Sequence, residues 1–236
     1  DTDRSRGLGD VYKRQVPESS FLKEVCPAAK SLTIRFVRTC MSVSPFPDPS
    51  VKSEPTRWEY GVSLCLLDKI PMEGRMIDGR VGYFTNKVRN YDNAVYDKGE
   101  CEFISRWKLV PHREQLEAYL GGDLVEPIKP IVFYIDKQIP TWLYPYVKRA
   151  VEAWQPAFER AGFKNAILAR PEPTYAEDSV FSVDNARYAY ISYKTSPLKN
   201  AYGPSSVDPR SGEILCSHIG IFNSISAVSY THLRAH

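Results

Sequence analysis

The feature that most constrains this chain is a continuous apolar run at residues 131–135, Ile-Val-Phe-Tyr-Ile, bounded by prolines at 130 and 140. A short apolar run between such breaks suits a β-strand that is covered on both faces, as in a sheet of parallel strands. A helix that packs on the sheet should follow such a strand. We therefore expect the second half of the chain to be built around this run.

A helical pattern does follow the run. Apolar residues recur at steps of three and four, which is the spacing of one helix face: Leu143, Val147, Ala150, Val151, Trp154, Phe158 and Ala161. Gly162 lies where a C-terminal cap belongs. Pro156 lies inside the pattern and removes one backbone hydrogen bond. We expect a kink there, or a break into two short helices.

Two further strands and a hairpin are predicted after the helix. The strands lie at residues 165–169 and 187–193, joined by a polar stretch. The hairpin has residues 200–207 as its first arm, a turn at residues 208–212 and residues 213–222 as its second arm. Proline at the second turn position and glycine at the end are typical of such a turn. This order predicts a mixed sheet with a helix packed on it.

The first half of the chain has a different character. Short runs rich in β-branched and aromatic residues predict strands at residues 32–43, 58–67, 80–85 and 102–109. Turn residues separate them, as at residues 45–49 and 97–99. A short helix is expected at residues 113–120, ended by Gly121 and Gly122, and residues 125–130 are typical of a linker. The predicted fold class is α+β, with a β-rich domain at residues 16–125 and a mixed-sheet domain at residues 126–226.

The two ends of the chain are set apart from this fold prediction. Residues 1–15 (DTDRSRGLGDVYKRQ) and residues 227–236 (AVSYTHLRAH) resemble translations of sequencing-adapter DNA. A stretch of that origin carries no information about the fold. The alternative is an ordinary disordered tail at each end. If both stretches are artefacts, we expect both native termini to be missing.

Charge and cysteine usage narrow the classes of partner. The formal net charge is only +3, part of it in the two end segments, so nothing favours a nucleic-acid partner or an anionic membrane surface. No apolar run approaches the roughly 20 residues of a membrane-spanning helix. The cysteines lack metal-ligand spacing. They are either buried thiols or, in an oxidising compartment, joined in one or two disulfides: Cys26, Cys40, Cys65, Cys101 and Cys216.

Four blocks of the sequence, in the same order, resemble bacterial zinc-dependent metalloproteases of the met-zincin (metzincin-like) type. Residues 129–136 (KPIVFYID), 153–167 (AWQPAFERAGFKNAI) and 200–222 (NAYGPSSVDPRSGEILCSHIGIF) are similar to the peptidase domain. Residues 78–84 (DGRVGYF) with residues 104–111 (ISRWKLVP) resemble the uncharacterised β-rich domain that precedes it. The resemblance implies that the mixed sheet is the upper, N-terminal half of a zincin-like catalytic domain.

The resemblance also implies a zinc cofactor in the full-length protein. In that family a helix with the signature H-E-x-x-H-x-x-G-x-x-H binds zinc through its histidines, and its glutamate deprotonates a zinc-bound water. No HExxH is present in the sequence, so we expect this chain to carry no catalytic residue and to bind no metal. His218 is expected to be a hydrogen-bonded or partly exposed strand histidine, and His112 a solvated one. Asp208 and Glu213 should cap the turn.

One function of such a half-domain does not need the metal. In zincins an edge strand of the upper half-domain binds an extended peptide substrate through main-chain hydrogen bonds. By resemblance this edge comprises Ala201, Tyr202, Gly203, Ser205, Ser206 and Val207, and Gly203 allows close backbone approach. The alternative is that Gly203 and Pro204 only bend an edge strand and protect it from aggregation.

Two functions from different classes are consistent with these patterns. The first is a fragment of a zinc metalloendopeptidase, inactive as given, whose full-length form acts on peptides or proteins in the periplasm, outside the cell or at the outer membrane. The second is a non-catalytic β-rich binding module, with residues 130–222 as scaffold. The nucleotide-binding and serine-hydrolase motifs G-x-x-x-x-G-K-[ST] and G-x-S-x-G are absent from the sequence.

Overall fold

A computed structural model of the chain describes residues 13–15, 19–42, 55–89, 100–196, 198 and 200–224. It divides the chain into two compact units, residues 1–66 and residues 67–236. Within the described residues the protein is a mixed α+β molecule made mostly of β-sheet. The turns predicted at residues 45–49 and 97–99, and the end segment 227–236, lie outside the described residues.

The first unit is an antiparallel sheet with a long central strand, β3 (Ser31–Ser42). On one side β3 pairs with β4 (Pro55–Cys65) along almost its whole length. On the other side it pairs with β2 (Phe21–Ala28) and, farther along, with β1 (Lys13–Gln15). The strands predicted at residues 32–43 and 58–67 are confirmed to within three residues at each end. The sequence analysis did not predict β2.

The two faces of this sheet differ in polarity. Side chains alternate along a strand, and the register pairs Leu32 with Leu64, Ile34 with Val62 and Phe36 with Tyr60, so these residues share one face. Residues of β2 join that face by pairing with the same residues of β3. We call it the apolar face; its members are Leu22, Val25, Pro27, Leu32, Ile34, Phe36, Arg38, Trp58, Tyr60, Val62 and Leu64.

The opposite face of this sheet carries ion pairs. Lys23 pairs with Glu59 at 2.8 Å, and Arg35 pairs with Glu24 at 3.2 Å. Thr33, whose side chain belongs to the same face, is only 2% exposed. These two ion pairs therefore lie on the side away from the apolar face.

The second unit begins with a two-stranded antiparallel sheet of β5 (Thr85–Arg89) and β6 (Glu100–Ile104). The strand predicted at residues 80–85 is wrong, because Asp78 turns the chain there. Its side chain accepts a hydrogen bond from the Arg80 N–H and its carbonyl accepts one from the Val81 N–H, both at 3.0 Å. The strand predicted at residues 102–109 ends at Ile104, where the backbone turns to other partners.

The connection to the main sheet is short and packed. A 3-10 turn (Arg113–Gln115) and α1 (Leu116–Leu120) confirm the predicted short helix, and Gly122 ends it with a φ of 93°. Residues 125–130 are not a loose linker. Val125 is 3% exposed, its N–H donates to the Gly162 carbonyl (3.0 Å), and its carbonyl accepts from the Lys164 N–H (2.9 Å).

The main sheet of the second unit is mixed, as predicted. Four strands run parallel in the order β8 (Ile167–Pro171), β7 (Ile131–Ile135), β9 (Ala189–Lys194) and β12 (Ile214–Phe222). β10 (Ala201–Tyr202) and β11 (Ser205–Val207) pair antiparallel with the outer side of β12. The parallel strands explain why residues 131–135 form an almost uninterrupted apolar run.

Two short helices cover one face of this sheet, α2 (Tyr144–Glu152) and α3 (Gln155–Arg160). Pro156 lies in the first turn of α3, so the predicted break is confirmed, and Gly162 follows α3 with a φ of 89°. Trp154, predicted on the apolar stripe, is 65% exposed because it lies at the break. The core between helices and sheet comprises Ile131, Phe133, Ile135, Ile139, Val147, Val151, Ile167, Ala169, Ala189 and Ile191.

The other face of the sheet carries aromatic side chains. Ring centroids of Tyr134, Phe181 and Tyr188 lie 4.9–5.8 Å apart, and Tyr190 lies 6.3 Å from Phe181. Phe181 and Tyr188 belong to the stretch between β8 and β9, which therefore packs on this second face. None of the described helices is long and apolar enough to cross a membrane.

Candidate peptide-binding edge

The predicted edge residues lie together at the rim of the main sheet. In β10, Ala201 pairs with Ile221 and Tyr202 with Gly220. In β11, Ser205 pairs with Ser217 and Ser206 with Cys216, before a bulge shifts the register at Val207. The two short strands continue one line along β12, interrupted only at residues 203–204. Residues 201–206 are all exposed.

The hydrogen-bond pattern determines which backbone groups point away from the sheet. The His218 N–H donates to the Pro204 carbonyl at 3.1 Å, so residue 204 directs its carbonyl toward β12. Alternate residues of an antiparallel strand bond to a given neighbour, and Gly203 and Ser205 therefore direct their N–H and C=O groups outward. Ala201 is in the same phase, and its N–H donates to the Asn200 side chain (2.8 Å). In the described part of the chain, no strand pairs with this outer side.

Pro204 is accommodated on the inner side of the edge. Its nitrogen has no hydrogen to donate, but its carbonyl accepts from both the His218 N–H (3.1 Å) and the Ser217 hydroxyl (3.2 Å). The missing donor therefore falls on the side of β12 and leaves the outward groups of the neighbouring residues intact.

Tyr202 lies at one end of the edge, over a glycine. A Cβ at Gly220 would come within 2.7 Å of the Tyr202 ring, so only glycine leaves room for this ring position. The Lys194 ammonium donates to the Tyr202 hydroxyl (2.5 Å) and lies 5.2 Å from the ring centroid. The Phe222 ring is 5.7 Å away. The edge is therefore flanked by a half-exposed aromatic ring and a cation.

Asp208 holds the turn at the other end of the edge. It is 2% exposed, and its carboxylate accepts hydrogen bonds from the Arg210 N–H (2.9 Å) and from the Arg210 guanidinium (2.7 and 3.0 Å). This hydrogen-bonded guanidinium holds the pKa of Asp208 below its usual value. The same guanidinium donates to the Asp68 carbonyl (2.8 Å). Asp208 therefore caps the turn, as predicted, while Glu213 contributes its backbone carbonyl to the Asp208 N–H (2.8 Å).

The turn also pairs with the segment after β6. The Arg106 N–H donates to the Gly212 carbonyl (3.0 Å), and the Ile214 N–H donates to the Arg106 carbonyl (2.9 Å). Gly212 has a φ of 75°, and a Cβ there would collide with the Ile104 carbonyl. Residues 104–106 thus hold the turn that ends this edge through backbone hydrogen bonds.

The two histidines outside the end segments have the predicted surroundings. His218 is half-buried on β12, with its Nε2 atom 3.2 Å from the Tyr188 carbonyl. His112 is exposed. Among the described residues no three His, Cys, Asp or Glu side chains are grouped as a metal ion would require. The described residues therefore do not fit a zinc centre.

A second polar group at the ends of the parallel strands was missed by sequence reasoning. Asp136 follows β7 and accepts hydrogen bonds from the backbone N–H of Gln138 (2.8 Å) and Tyr193 (3.2 Å). Glu172 follows β8 and accepts from the Tyr190 hydroxyl (3.1 Å). Burial, then the charges of Asp136 and Glu172, raise the pKa of Tyr190. The Tyr190 phenol therefore stays protonated and donates its hydrogen bond. Together Asp136, Glu172 and Tyr190 link the carboxyl ends of β7 and β8 to β9.

Tyr188 is a protonated donor for a similar reason. Its hydroxyl donates to Asp178 at 2.7 Å. Burial and this hydrogen bond raise the pKa of Tyr188 to about 12. An acidic residue directly after a buried strand, as at Asp136, is the signal that could have identified the polar group. No sequence signal pointed to the contact of Lys194 with Tyr202, because it depends on the pairing of β9 with β12 and of β12 with β10.

All five cysteines lie in the described residues, and none of them is in a disulfide. Cys40 and Cys216 are buried. The structure therefore contains thiols, but the expectation that they are buried holds only for these two, since Cys26, Cys65 and Cys101 are half-buried.

Comparisons with known proteins give one match. Residues 3–112 match the model of a family described as a domain of unknown function, DUF5117. The match covers the sheet of the first unit and the start of the second unit, including β5 and β6. No curated protein matches the chain, and no solved structure matches it. Residues 3–112 are thus similar to a family of unknown function.

Proposed function

We propose that this chain is part of a zinc-dependent metalloendopeptidase and that residues 201–207 form the edge to which its peptide substrate binds. The observation that supports the proposal is the outer side of β10 and β11, where Gly203 and Ser205 direct backbone groups away from β12. The sequence resemblance supplies the reaction class. Zinc in such an enzyme activates a water molecule for peptide-bond hydrolysis, and its ligands belong to the full-length protein.

The edge would bind a substrate by adding it as a further strand. The N–H and C=O groups of Gly203 and Ser205 can form main-chain hydrogen bonds with an extended peptide, each of which contributes about 0.5–1.5 kcal/mol net. This mode of binding reads the backbone of the peptide, and pockets for alternate side chains add selectivity. Gly203 has no side chain, so a peptide backbone can approach it closely. The half-exposed Tyr202 ring borders the same edge.

A pair of variants at Ser205 tests this binding mode. Ser205→Pro removes the outward N–H, whereas Ser205→Ala removes only the hydroxyl and serves as the matched control. We expect Ser205→Pro to weaken binding of an extended peptide about fivefold, the equivalent of one hydrogen bond of about 1 kcal/mol. Ser205→Ala should bind like the wild type. The measurement is fluorescence polarisation with a labelled peptide, with circular dichroism to check the fold of each variant.

A second test changes the peptide instead of the protein, so its result does not depend on whether a variant folds. A peptide methylated on alternate backbone nitrogens has one face that can no longer donate. Methylation of the peptide nitrogens that face Gly203 and Ser205 should abolish binding. Methylation of the intervening nitrogens, which face away from this edge, should leave binding unchanged. Equal binding by both methylated peptides would contradict strand addition at this edge.

The metalloendopeptidase part of the proposal is tested on the full-length protein. We expect it to contain zinc, to cleave peptides in a chelator-sensitive manner, and to be exported to the periplasm or the cell exterior. Ser205→Pro in that protein should raise KM more than it lowers kcat, because the edge binds the substrate backbone in both ground and transition states. A full-length protein that binds no zinc and cleaves no peptide would overturn the proposal.

The second candidate function is a non-catalytic interaction module. The observation that favours it is the exposed apolar face of the first sheet, which has no catalytic chemistry and the composition of a contact surface. Binding of a partner by the first unit, with no hydrolysis by the full-length protein, would favour this candidate over the peptidase.

A further inference from the structure

The first unit exposes the face of its sheet that should be buried. Six large side chains of the apolar face are between 41% and 63% exposed: Leu22, Val25, Trp58, Tyr60, Val62 and Leu64. A sheet with one apolar face is stable only when that face packs against another layer. The surface that these six side chains leave in solvent is the surface that such a layer would cover. On the opposite face, Lys23 and Arg35 form ion pairs with Glu59 and Glu24.

We propose that this apolar face is a homodimer interface, in which two copies of the chain pack their first sheets face to face. This inference is independent of the peptidase proposal. It accounts for the exposed side chains with the same surface on both partners, as two-fold symmetry requires. Two sheets stacked in this way lie about 10 Å apart and interdigitate their side chains.

The available area fits a reversible dimer. An aromatic side chain has about 150–250 Å² of surface and an aliphatic one has less, so at 41–63% exposure the six residues, backbone included, offer on the order of 600 Å² in each copy. A dimer would bury about twice that, which is at the lower limit of the roughly 1,200–2,000 Å² of specific interfaces. A patch of this size is also at the upper end of what a monomer exposes.

The chemistry of the face suits a second copy of itself. The centre of the patch is aromatic, with the rings of Phe36 and Tyr60 stacked at 5.6 Å and Trp58 two residues before Tyr60 on the same face of β4. Aromatic residues dominate the centres of protein interfaces. Among the residues that define the face, Arg38 carries the one formal charge; it lies toward one end, 5.8 Å from the Phe36 ring centroid and 6.0 Å from the Tyr60 ring centroid. Two such faces can meet without burying an unpaired charge in the centre.

The test is the mass of the whole chain in solution. We expect sedimentation equilibrium of the wild type to show a reversible monomer–dimer equilibrium. Val62→Lys places a charge in the centre of the face and should weaken dimerisation at least tenfold. Ser63→Lys is the matched control, because the next residue of β4 points to the opposite face, and its dimerisation constant should equal that of the wild type.

The outcomes distinguish a dimer through the apolar face from a monomer, from open-ended association and from a dimer through another surface. Binding of a hydrophobic dye should increase as the wild type is diluted into the monomer, since the face becomes exposed. A wild type that is monomeric at all concentrations would overturn the proposal, as would open-ended association. Equal dimerisation by Val62→Lys and Ser63→Lys would place the interface elsewhere and also overturn it. The wild-type measurements decide the question even if Val62→Lys does not fold.

Discussion

Asp208 and Gly212 maintain the same turn by different physical means. Asp208 offers a buried carboxylate to the backbone and guanidinium of Arg210. Gly212 supplies a backbone conformation that a side chain would strain, in a place where a Cβ would meet the Ile104 carbonyl. The sequence motif Asp-Pro-Arg-Ser-Gly predicted the turn and the capping role of the aspartate. It could not predict the approach of Ile104, which depends on a segment more than 100 residues earlier.

Two glycine substitutions separate the strain of a positive φ from the collision with the Ile104 carbonyl. Gly212→Ala should lower the free energy of unfolding by about 3 kcal/mol or more, because it combines a strained φ of 75° with a backbone collision. Gly122→Ala is the control, since Gly122 also has a positive φ but open space around it. It should cost only about 1 kcal/mol. Urea unfolding measures both, and equal losses would contradict the contact with Ile104.

The Asp208 carboxylate should make stability depend on acidity. Its folded-state pKa is lowered, mainly by the hydrogen bond from Arg210. Its stabilising contribution is therefore complete above the unfolded-state pKa of about 3.9 and is lost as the pH falls through the lowered folded-state value. Asp208→Asn should be less stable than the wild type at neutral pH, and the difference should shrink below about pH 4. A difference that is constant with pH would contradict this assignment.

At the scale of elements, one side chain forms hydrogen bonds across the join between α3 and β8. Gln155, the first residue of α3, accepts hydrogen bonds from the backbone N–H groups of Ala166 (3.1 Å) and Ile167 (3.4 Å). Its amide donates to the Phe163 carbonyl (3.3 Å). The break at Pro156 thus places Gln155 where it can bond to the start of the next strand.

Substitution of Gln155 should reveal this role. Gln155→Ala leaves the N–H of Ala166, a residue with no exposed surface, without its acceptor. We expect a loss of about 1–3 kcal/mol, the cost of an unsatisfied buried group. Gln155→Glu keeps the acceptor and should lose less. Thermal unfolding gives the stability, and hydrogen exchange at Ala166 should accelerate only in Gln155→Ala.

The elements with a strong local signal were predictable from sequence. The apolar run at residues 131–135, the break at Pro156 and the hairpin turn all follow from composition and spacing. The strand predicted at residues 80–85 failed because the Asp78 turn takes up the chain as far as Val81, and the strand β5 begins only at Thr85. The candidate edge was placed by resemblance, while the direction of its backbone groups required the pairing with β12.

At the scale of the whole molecule, the chain has two units with different kinds of core. The second unit has a helix-covered sheet with an apolar interior. The first unit, residues 1–66, is one sheet whose apolar face is exposed in the described residues. Side-chain burial is the main source of stability, so the first unit should be the weaker one.

We therefore expect two unfolding transitions in calorimetry. The first should belong to residues 1–66, and hydrogen exchange should show faster exchange in β2–β4 than in β7–β9. If the apolar face forms a dimer, the temperature of the first transition should rise with protein concentration, because association stabilises the folded form by mass action. A single transition with uniform protection would contradict independent units.

The contact of the 208–214 turn with residues 104–106 bears on how such proteins recombine. The family match ends at residue 112, yet the backbone bonds of Arg106 and the link from Arg210 to Asp68 tie residues 68–106 to the hairpin. A gene crossover at codon 112 would separate strands that fold together and leave both halves incomplete. A crossover near codon 66 would exchange a whole unit. The boundary between the two compact units, after residue 66, and the end of the family match, at residue 112, are therefore different places in this chain.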